Sequence, residues 1–190
     1  MPDPCKNIAL EAGTGTDALL EACIRKLADG DIDAMGPLYD MTKNSVYAYS
    51  LSLLKNSAEA EDAMHDCYIR INSSAVSYTA NGKPMAWIMR IVRNLCLSRL
   101  REMKRSARLS EEDWHGLLRT DDIDSNLHAA DMLEMLSDTE RQIVLLHAVS
   151  GFKHRETAAL MGIPLATVLS KYARAIKKLR KYFPEGEGVR

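Results

Sequence analysis

Lys153-His-Arg-Glu-Thr-Ala-Ala-Leu-Met161, then Gly162-Ile-Pro164, then Leu165-Ala-Thr-Val-Leu-Ser-Lys-Tyr-Ala-Arg-Ala-Ile-Lys-Lys-Leu-Arg-Lys-Tyr182 follow one another late in the chain. The first piece reads as a short helix that the glycine ends, and the proline precedes a longer helix. In that longer piece Val168, Tyr172, Ala175, Ile176 and Leu179 recur at helical spacing and share one face. Two helices joined by a tight, glycine-containing turn form a helix-turn-helix. In that motif the first helix crosses the phosphate backbone, and the second enters the major groove with its N-terminal residues toward base edges. The outer face of the second helix carries Thr167, Ser170, Lys171, Arg174, Lys177, Lys178 and Lys181, the cations and hydroxyls that such docking needs. A plain amphipathic pair with a solvated basic face has the same local composition, so the flanking sequence has to decide.

Upstream, Ser137 and Glu140 form an S-x-x-E capping box that opens a helix through Ile143, Val144, Leu145 and Leu146 to about Val149, with Gly151 as its stop. The net charge of −1 hides a segregation along the chain. Lys83, Arg90, Arg93, Arg99, Arg101, Lys104, Arg105 and Arg108 make one basic block against Glu102. From Glu111 to Glu140 the sign reverses through Asp113, Asp121, Asp122, Asp124, Asp131, Glu134 and Asp138, and from Lys153 it turns basic again. The acidic stretch 106–126 has weak periodicity and reads as a linker, with a helical domain over 29–105 before it and another over 127–183 after it. Residues 1–28 form an N-terminal segment, partly loose, and 184–190 a tail.

In the first domain, Met35, Leu38, Tyr39, Thr42, Val46, Tyr49, Ser50, Leu53 and Leu54 share a helical face, and Pro37 places the start of that helix near Asp33 or Ala34. Asn56 and Ser57 stop it and cap the next, which points Ala60, Met64, Cys67, Tyr68 and Ile71 inward and Glu59, Asp62, His65, Asp66 and Arg70 outward. Composition makes 72–84 a loop. A long helix follows, with Trp87, Ile88, Ile91, Val92, Leu95, Cys96 and Leu100 assigned to the core and the basic block outside.

The 190 residues, 46% hydrophobic and only 6% aromatic, fit an all-α protein of two small domains. Cys5, Cys23, Cys67 and Cys96 stand apart with no CxxC pair, so neither a zinc site nor a disulfide framework is expected, and no cofactor. His65, His115, His128, His147 and His154 form no spaced cluster, so no metal is assigned. Gly13, Gly15 and Ala18 spell G-x-G-x-x-A, but the strand and βαβ unit that a dinucleotide site requires are not visible. No signal or membrane-spanning run is found, and the expectation is a cytoplasmic protein without a membrane partner. No nucleophile–base pair or phosphate loop is found, so an enzyme is not expected.

The residues from Leu136 to His147, then Gly151 to Pro164 and Thr167-Val168, resemble region 4 of the extracytoplasmic-function (ECF) sigma factors of the sigma-70 family. Gly30 to Tyr39, Val46-Tyr47, Ala60-Glu-Asp-Ala-Met-His-Asp-Cys-Tyr-Ile-Arg70, Ala86-Trp-Ile-Met-Arg-Ile-Val-Arg-Asn94 and Leu100-Arg101 resemble region 2 in order and spacing. The resemblance implies a non-enzymatic protein that binds core RNA polymerase, through the β′ clamp helices and the β flap, and directs promoter recognition and strand opening. It implies polymerase contact by Glu61, Asp62, His65 and Asp66. It implies contact with the minus-ten element by Tyr78, Asn81, Lys83, Arg90, Arg93 and Asn94. For the minus-thirty-five element it implies Arg155, Leu165, Thr167, Leu169, Ser170, Lys171, Arg174 and Lys178. An anti-sigma factor would be a further partner.

Two positions depart from the family pattern: Leu169 stands where a basic residue is common, and Lys171 where arginine is usual. Lysine cannot make the bidentate fork of arginine, and leucine offers only apolar contact, for instance to a thymine methyl. A stand-alone helix-turn-helix regulator and a sigma-mimicking protein that binds anti-sigma factors are the competing readings.

Overall fold

The computed structural model describes residues 13–107, 133 and 135–182, and among them there are helices and turns but no strand. The chain divides into two compact units, 1–119 and 120–190. Residues 108–126 of the stretch read as a linker, residues 1–12 and the tail 184–190 lie outside the described residues.

The first unit holds α1 (Gly13–Ala28), a 3-10 turn (Ile32–Ala34), α2 (Met35–Leu54), α3 (Ser57–Ser74), a second 3-10 turn (Ala75–Ser77) and α4 (Pro84–Ala107). The side chain of Asp31 accepts the Asp33 N–H at 3.1 Å, and Pro37 falls in the first turn of α2, where a missing donor costs nothing. Lys55 ends α2 in the left-handed conformation (φ 57°), and Asn56 caps α3 by accepting the Glu59 N–H at 3.0 Å.

Leu38, Val46 and Tyr49 of α2, Ala60, Ala63, Cys67 and Ile71 of α3, and Ile88, Met89, Val92 and Cys96 of α4 are buried. Each large apolar side chain so buried contributes about 1.5–3 kcal/mol. Thr42 donates to the Leu38 carbonyl at 2.7 Å, so the Tyr68 hydroxyl, 2.9 Å away, donates to Thr42 and ties α3 to α2 through a satisfied polar pair.

Several sequence expectations change here. Residues 13–28 are helical, and Leu20, Ile24 and Leu27 of α1 are buried. The glycines of the G-x-G-x-x-A spelling lie in the first turn of that helix. The predicted loop 72–84 shrinks to 78–83, because α3 runs to Ser74 and a 3-10 turn extends it. Ala63, not Met64, is buried on α3, and Tyr39 on α2 is exposed. On α4 the buried stripe is Ile88, Met89, Val92 and Cys96, whereas Trp87, Ile91 and Leu95 are half-buried on the adjoining stripe. A helix advances about 100° per residue, so positions 87, 91 and 95 form their own row and line the edge of the core.

The second unit holds α5 (Asp138–Val144), a π turn (Leu145–Val149), α6 (His154–Met161) and α7 (Leu165–Tyr182). The Glu140 carboxylate accepts the Ser137 N–H at 3.0 Å, which is the reciprocal half of the predicted capping box. Leu136, Val144 and Ala175 form a core against which Leu133, Tyr172 and Leu179 pack. The π turn, which the sequence pattern does not announce, closes with bonds from Ser150 N–H to Leu145 O (3.1 Å) and Phe152 N–H to Leu146 O (2.9 Å).

Candidate nucleic-acid interface and acidic docking face

The acidic face of α3 is organised by one arginine of α4. Arg99 Nη1 lies 3.0 Å from Glu59 Oε2 and 3.7 Å from Asp62 Oδ2, and Nη2 lies 2.6 Å from Asp66 Oδ2. The spacing 59, 62, 66 puts these carboxylates on one helical row facing α4. Asp66 therefore differs from the expectation of an open outer face: it is half of a charge-assisted pair that joins two helices. Asp62 keeps 72% of its side chain exposed against 47% for Asp66, and Glu61 and His65 beside it are exposed.

Next to this face a groove of about 650 Å³ runs between α3 and α4, lined by Ile69, Arg70, Ser73, Trp87, Ile91 and Leu95 among others. Ile69 is largely exposed. The result is an apolar trough with acidic and polar flanks.

The open loop 78–83 follows. Tyr78 does not present its hydroxyl to solvent as a free donor. Its Oη donates to Glu21 Oε1 at 2.9 Å, and its ring lies 5.0 Å from that of Trp87 at 58°. Burial first, then the hydrogen bond to Glu21, pushes its phenol well above the usual range. Asn81 is exposed and uses Oδ1 to accept the Lys83 N–H at 3.1 Å. Lys83, Arg90 and Asn94 are exposed and Arg93 is half-buried, so cations continue from the loop along α4.

In the second unit the turn is built as the sequence reading requires. Gly162 adopts φ 69°, a left-handed conformation that favours glycine, and both its N–H and that of Ile163 bond to Ala158 O, at 2.9 and 3.2 Å. Val168 and Ala175 anchor α7 in the core. Arg155, Leu169, Ser170 and Arg174 are exposed, and Leu165, Thr167 and Lys171 are half-buried near the start of α7. The Ser170 hydroxyl donates to Thr167 O at 3.1 Å and Arg174 Nε to Ser170 O at 3.3 Å, so both side chains lie along the helix surface.

Lys178, expected at the DNA contact, is engaged in an ion pair within the fold. Its Nζ lies 2.6 Å from Oε2 of Glu140, whose side chain is only 5% exposed. The ammonium first, and then the Ser137 hydrogen bonds, hold the Glu140 carboxyl down at about 2 against its ordinary 4.5. Lys178 thus serves as the counter-charge of a buried carboxylate, with 44% of its own side chain still exposed.

A second departure concerns histidines, which linear spacing had kept apart. The rings of His147 and His154 stack at 4.4 Å, and Tyr172 of α7 meets both, at 4.9 and 4.7 Å. His147 Nδ1 lies 2.7 Å from the Phe152 carbonyl, which can only accept, so that nitrogen carries the proton. His154 Nδ1 is buried and takes no hydrogen bond among the described residues. Among the described residues no group of three or more His, Cys, Asp or Glu side chains is placed to hold a metal ion.

Burial first, and then the neighbouring His147, lowers the His154 pKa below 6.5. With the folded value below the unfolded one, the unfolded state binds more protons in that window. Stability is complete above about pH 6.5 and falls as the pH drops below it. The thermal transition of the second unit should move down between pH 7.5 and 5.5, and His154→Phe should flatten that slope. An unchanged slope in the variant would exclude His154 as its source.

No helix among the described residues is long and apolar enough to cross a membrane. The sequence matches two family models: "Sigma-70 region 2" over residues 38–106 and "Sigma-70, region 4" over 129–179. It is 25% identical over 173 residues to the ECF RNA polymerase sigma factor SigK of Mycobacterium sp. strain KMS, covering 85% of this chain and 89% of that one. It is also 25% identical over 181 residues to the ECF RNA polymerase sigma factor SigW of Bacillus subtilis strain 168, covering 87% and 97%. The sigma factor RpoE of Bartonella quintana, solved in complex with the anti-sigma factor NepR, shares the fold. Its TM-score is 0.65 at 23% identity, over 82% of this chain and all of that one.

Proposed function

Because the chain belongs to the sigma-70 family, in its extracytoplasmic-function branch, we propose a division of labour among its surfaces as it directs RNA polymerase to promoters and starts transcription there. Glu61, Asp62 and His65, with the neighbouring trough over Ile69, Trp87 and Ile91, take a basic, partly apolar partner helix, and the β′ clamp helices of core polymerase fit that chemistry. A second polymerase contact, to the β flap, belongs to the second unit. Loop 78–83 holds an unstacked base of the minus-ten element, while Lys83, Arg90, Arg93 and Asn94 hold the strand. Arg155, Leu165, Thr167, Leu169, Ser170, Lys171 and Arg174 face the minus-thirty-five element as duplex. An anti-sigma factor that covers the trough is the inhibitor this arrangement admits, and the protein works in the cytoplasm. The mechanism is binding and strand opening, with no covalent step.

The observation that carries this reading is the start of α7, where Leu169 and Ser170 are exposed and Thr167 and Lys171 half-buried, in the same chain as the acid-faced first unit. The test is in vitro transcription from a randomised promoter library by core polymerase with the full chain. Lys171→Ala should relax preference at one upstream position by about 1–3 kcal/mol and leave other positions alone. If every promoter falls by the same factor, Lys171 is a phosphate clamp and reading rests with Thr167, Leu169 or Ser170. If the chain footprints duplex DNA without core and yields no transcript, it is a stand-alone regulator.

A further inference from the structure

We infer that Glu21, on α1, is a positioning residue for minus-ten recognition, because its carboxylate fixes the shape of the loop that takes the unpaired strand. The inference rests on the assignment of loop 78–83 proposed above. One oxygen, Oε1, accepts both the Tyr78 hydroxyl at 2.9 Å and the Gly82 N–H at 2.7 Å. These donors stand at the two ends of the loop. At the second of them Gly82 takes the left-handed conformation at φ 70°, and Asn81 closes the turn on the Lys83 N–H. The ring of Tyr78 packs against Trp87 of α4. The carboxylate thus joins α1 to the loop, the Tyr78 ring carries the contact on to α4, and Thr79, Ala80, Asn81 and Lys83 stay exposed.

The chemistry favours positioning over direct contact. A carboxylate repels phosphate, so Glu21 gains nothing by meeting the strand itself. As an ionised acceptor shared by two donors it makes stronger hydrogen bonds than an amide or hydroxyl would. The Gly82 N–H first, and the Tyr78 hydroxyl next, keep its carboxyl below the usual carboxylate range. A loop ordered in advance loses less freedom when it captures a base than one ordered at that moment. The Tyr78 hydroxyl proton and Asn81 Oδ1 are engaged within the loop, so base contacts fall to the exposed backbone, the Asn81 amide N–H groups, Thr79, Ala80 and Lys83.

The experiment uses the full chain with core polymerase and a promoter library randomised in both elements. Glu21→Ala should bind core as wild type does and lower open-complex formation on the preferred promoter by about tenfold. It should also flatten preference at minus-ten positions while the upstream preference stays as it was. Glu21→Gln, which keeps an acceptor oxygen, should recover most of the selectivity, and Tyr78→Phe added to Glu21→Ala should change nothing further. Wild-type minus-ten selectivity in Glu21→Ala overturns the inference, and so does a loss that spreads equally over both elements, because that is general destabilisation. If the wild-type chain supports no promoter-specific transcript, the functional reading itself falls and the inference with it.

Discussion

Glu61→Lys combined with Asp62→Lys should weaken binding to core polymerase by about 3 kcal/mol, on the order of a hundredfold in Kd, without altering the fold. Both side chains are exposed, and of the two Arg99 reaches only Asp62, at 3.7 Å. Substitutions at such sites rarely change stability by more than about 0.5 kcal/mol, so circular dichroism and the melting curve should match wild type. Asp66 belongs outside this test, although the sequence reading placed it on the same face. A lysine there would meet Arg99 at the end of a 2.6 Å ion pair and push α3 from α4, confounding a docking defect with a folding one. Rising salt should narrow the gap between wild type and variant, since exposed charges are screened over about 8–10 Å. Equal affinity of the two proteins for core polymerase at low salt would remove the acidic face from the docking surface.

Most of the helical framework was legible because it rests on local signals. Pro37 in a first turn, Asn56 as a cap, the Ser137–Glu140 pair and Gly162 at the turn each act within a few residues, and the structure realises each of them. Helix α1 was legible in principle, since Leu20, Ile24 and Leu27 recur at helical spacing, but the glycines at its start masked that period. The functional face was less legible because its geometry is non-local. Nothing in a linear reading tells that Arg99 closes on Glu59 and Asp66 across 40 and 33 residues, or that Glu21 reaches Tyr78 across 57. The two apolar rows of α4 were merged for a related reason. Periodicity places Trp87 and Ile91 on a face, but only packing decides whether that face meets the core or borders a trough. The histidine stack likewise needs the π turn, which places His147 against His154 and carries no sequence mark.

Lys178→Met should destabilise the second unit by about 2 kcal/mol and lower its melting temperature by roughly 10 °C, while leaving DNA sequence preference unchanged. The methionine keeps the apolar stem and removes the charge, so the 5%-exposed Glu140 carboxylate loses the ammonium at 2.6 Å and keeps the Ser137 N–H. Removing one partner of a fully buried pair costs about 3–5 kcal/mol, and the lower figure here follows because Lys178 is itself 44% exposed and water screens the pair. Adding Glu140→Gln should recover part of the loss, since the amide oxygen still accepts at the cap without a buried charge. Acid supplies an independent check. A carboxyl held at about 2 in the fold, against 4.5 in the unfolded chain, contributes stability that is present above pH 4.5 and is lost as the pH falls toward 2. The difference between wild type and Lys178→Met should therefore shrink over that window. A phosphate clamp would behave otherwise, with an unchanged melting temperature and a salt slope of DNA binding reduced by about one unit. That result would return Lys178 to the nucleic-acid face and leave Glu140 buried without need of its partner.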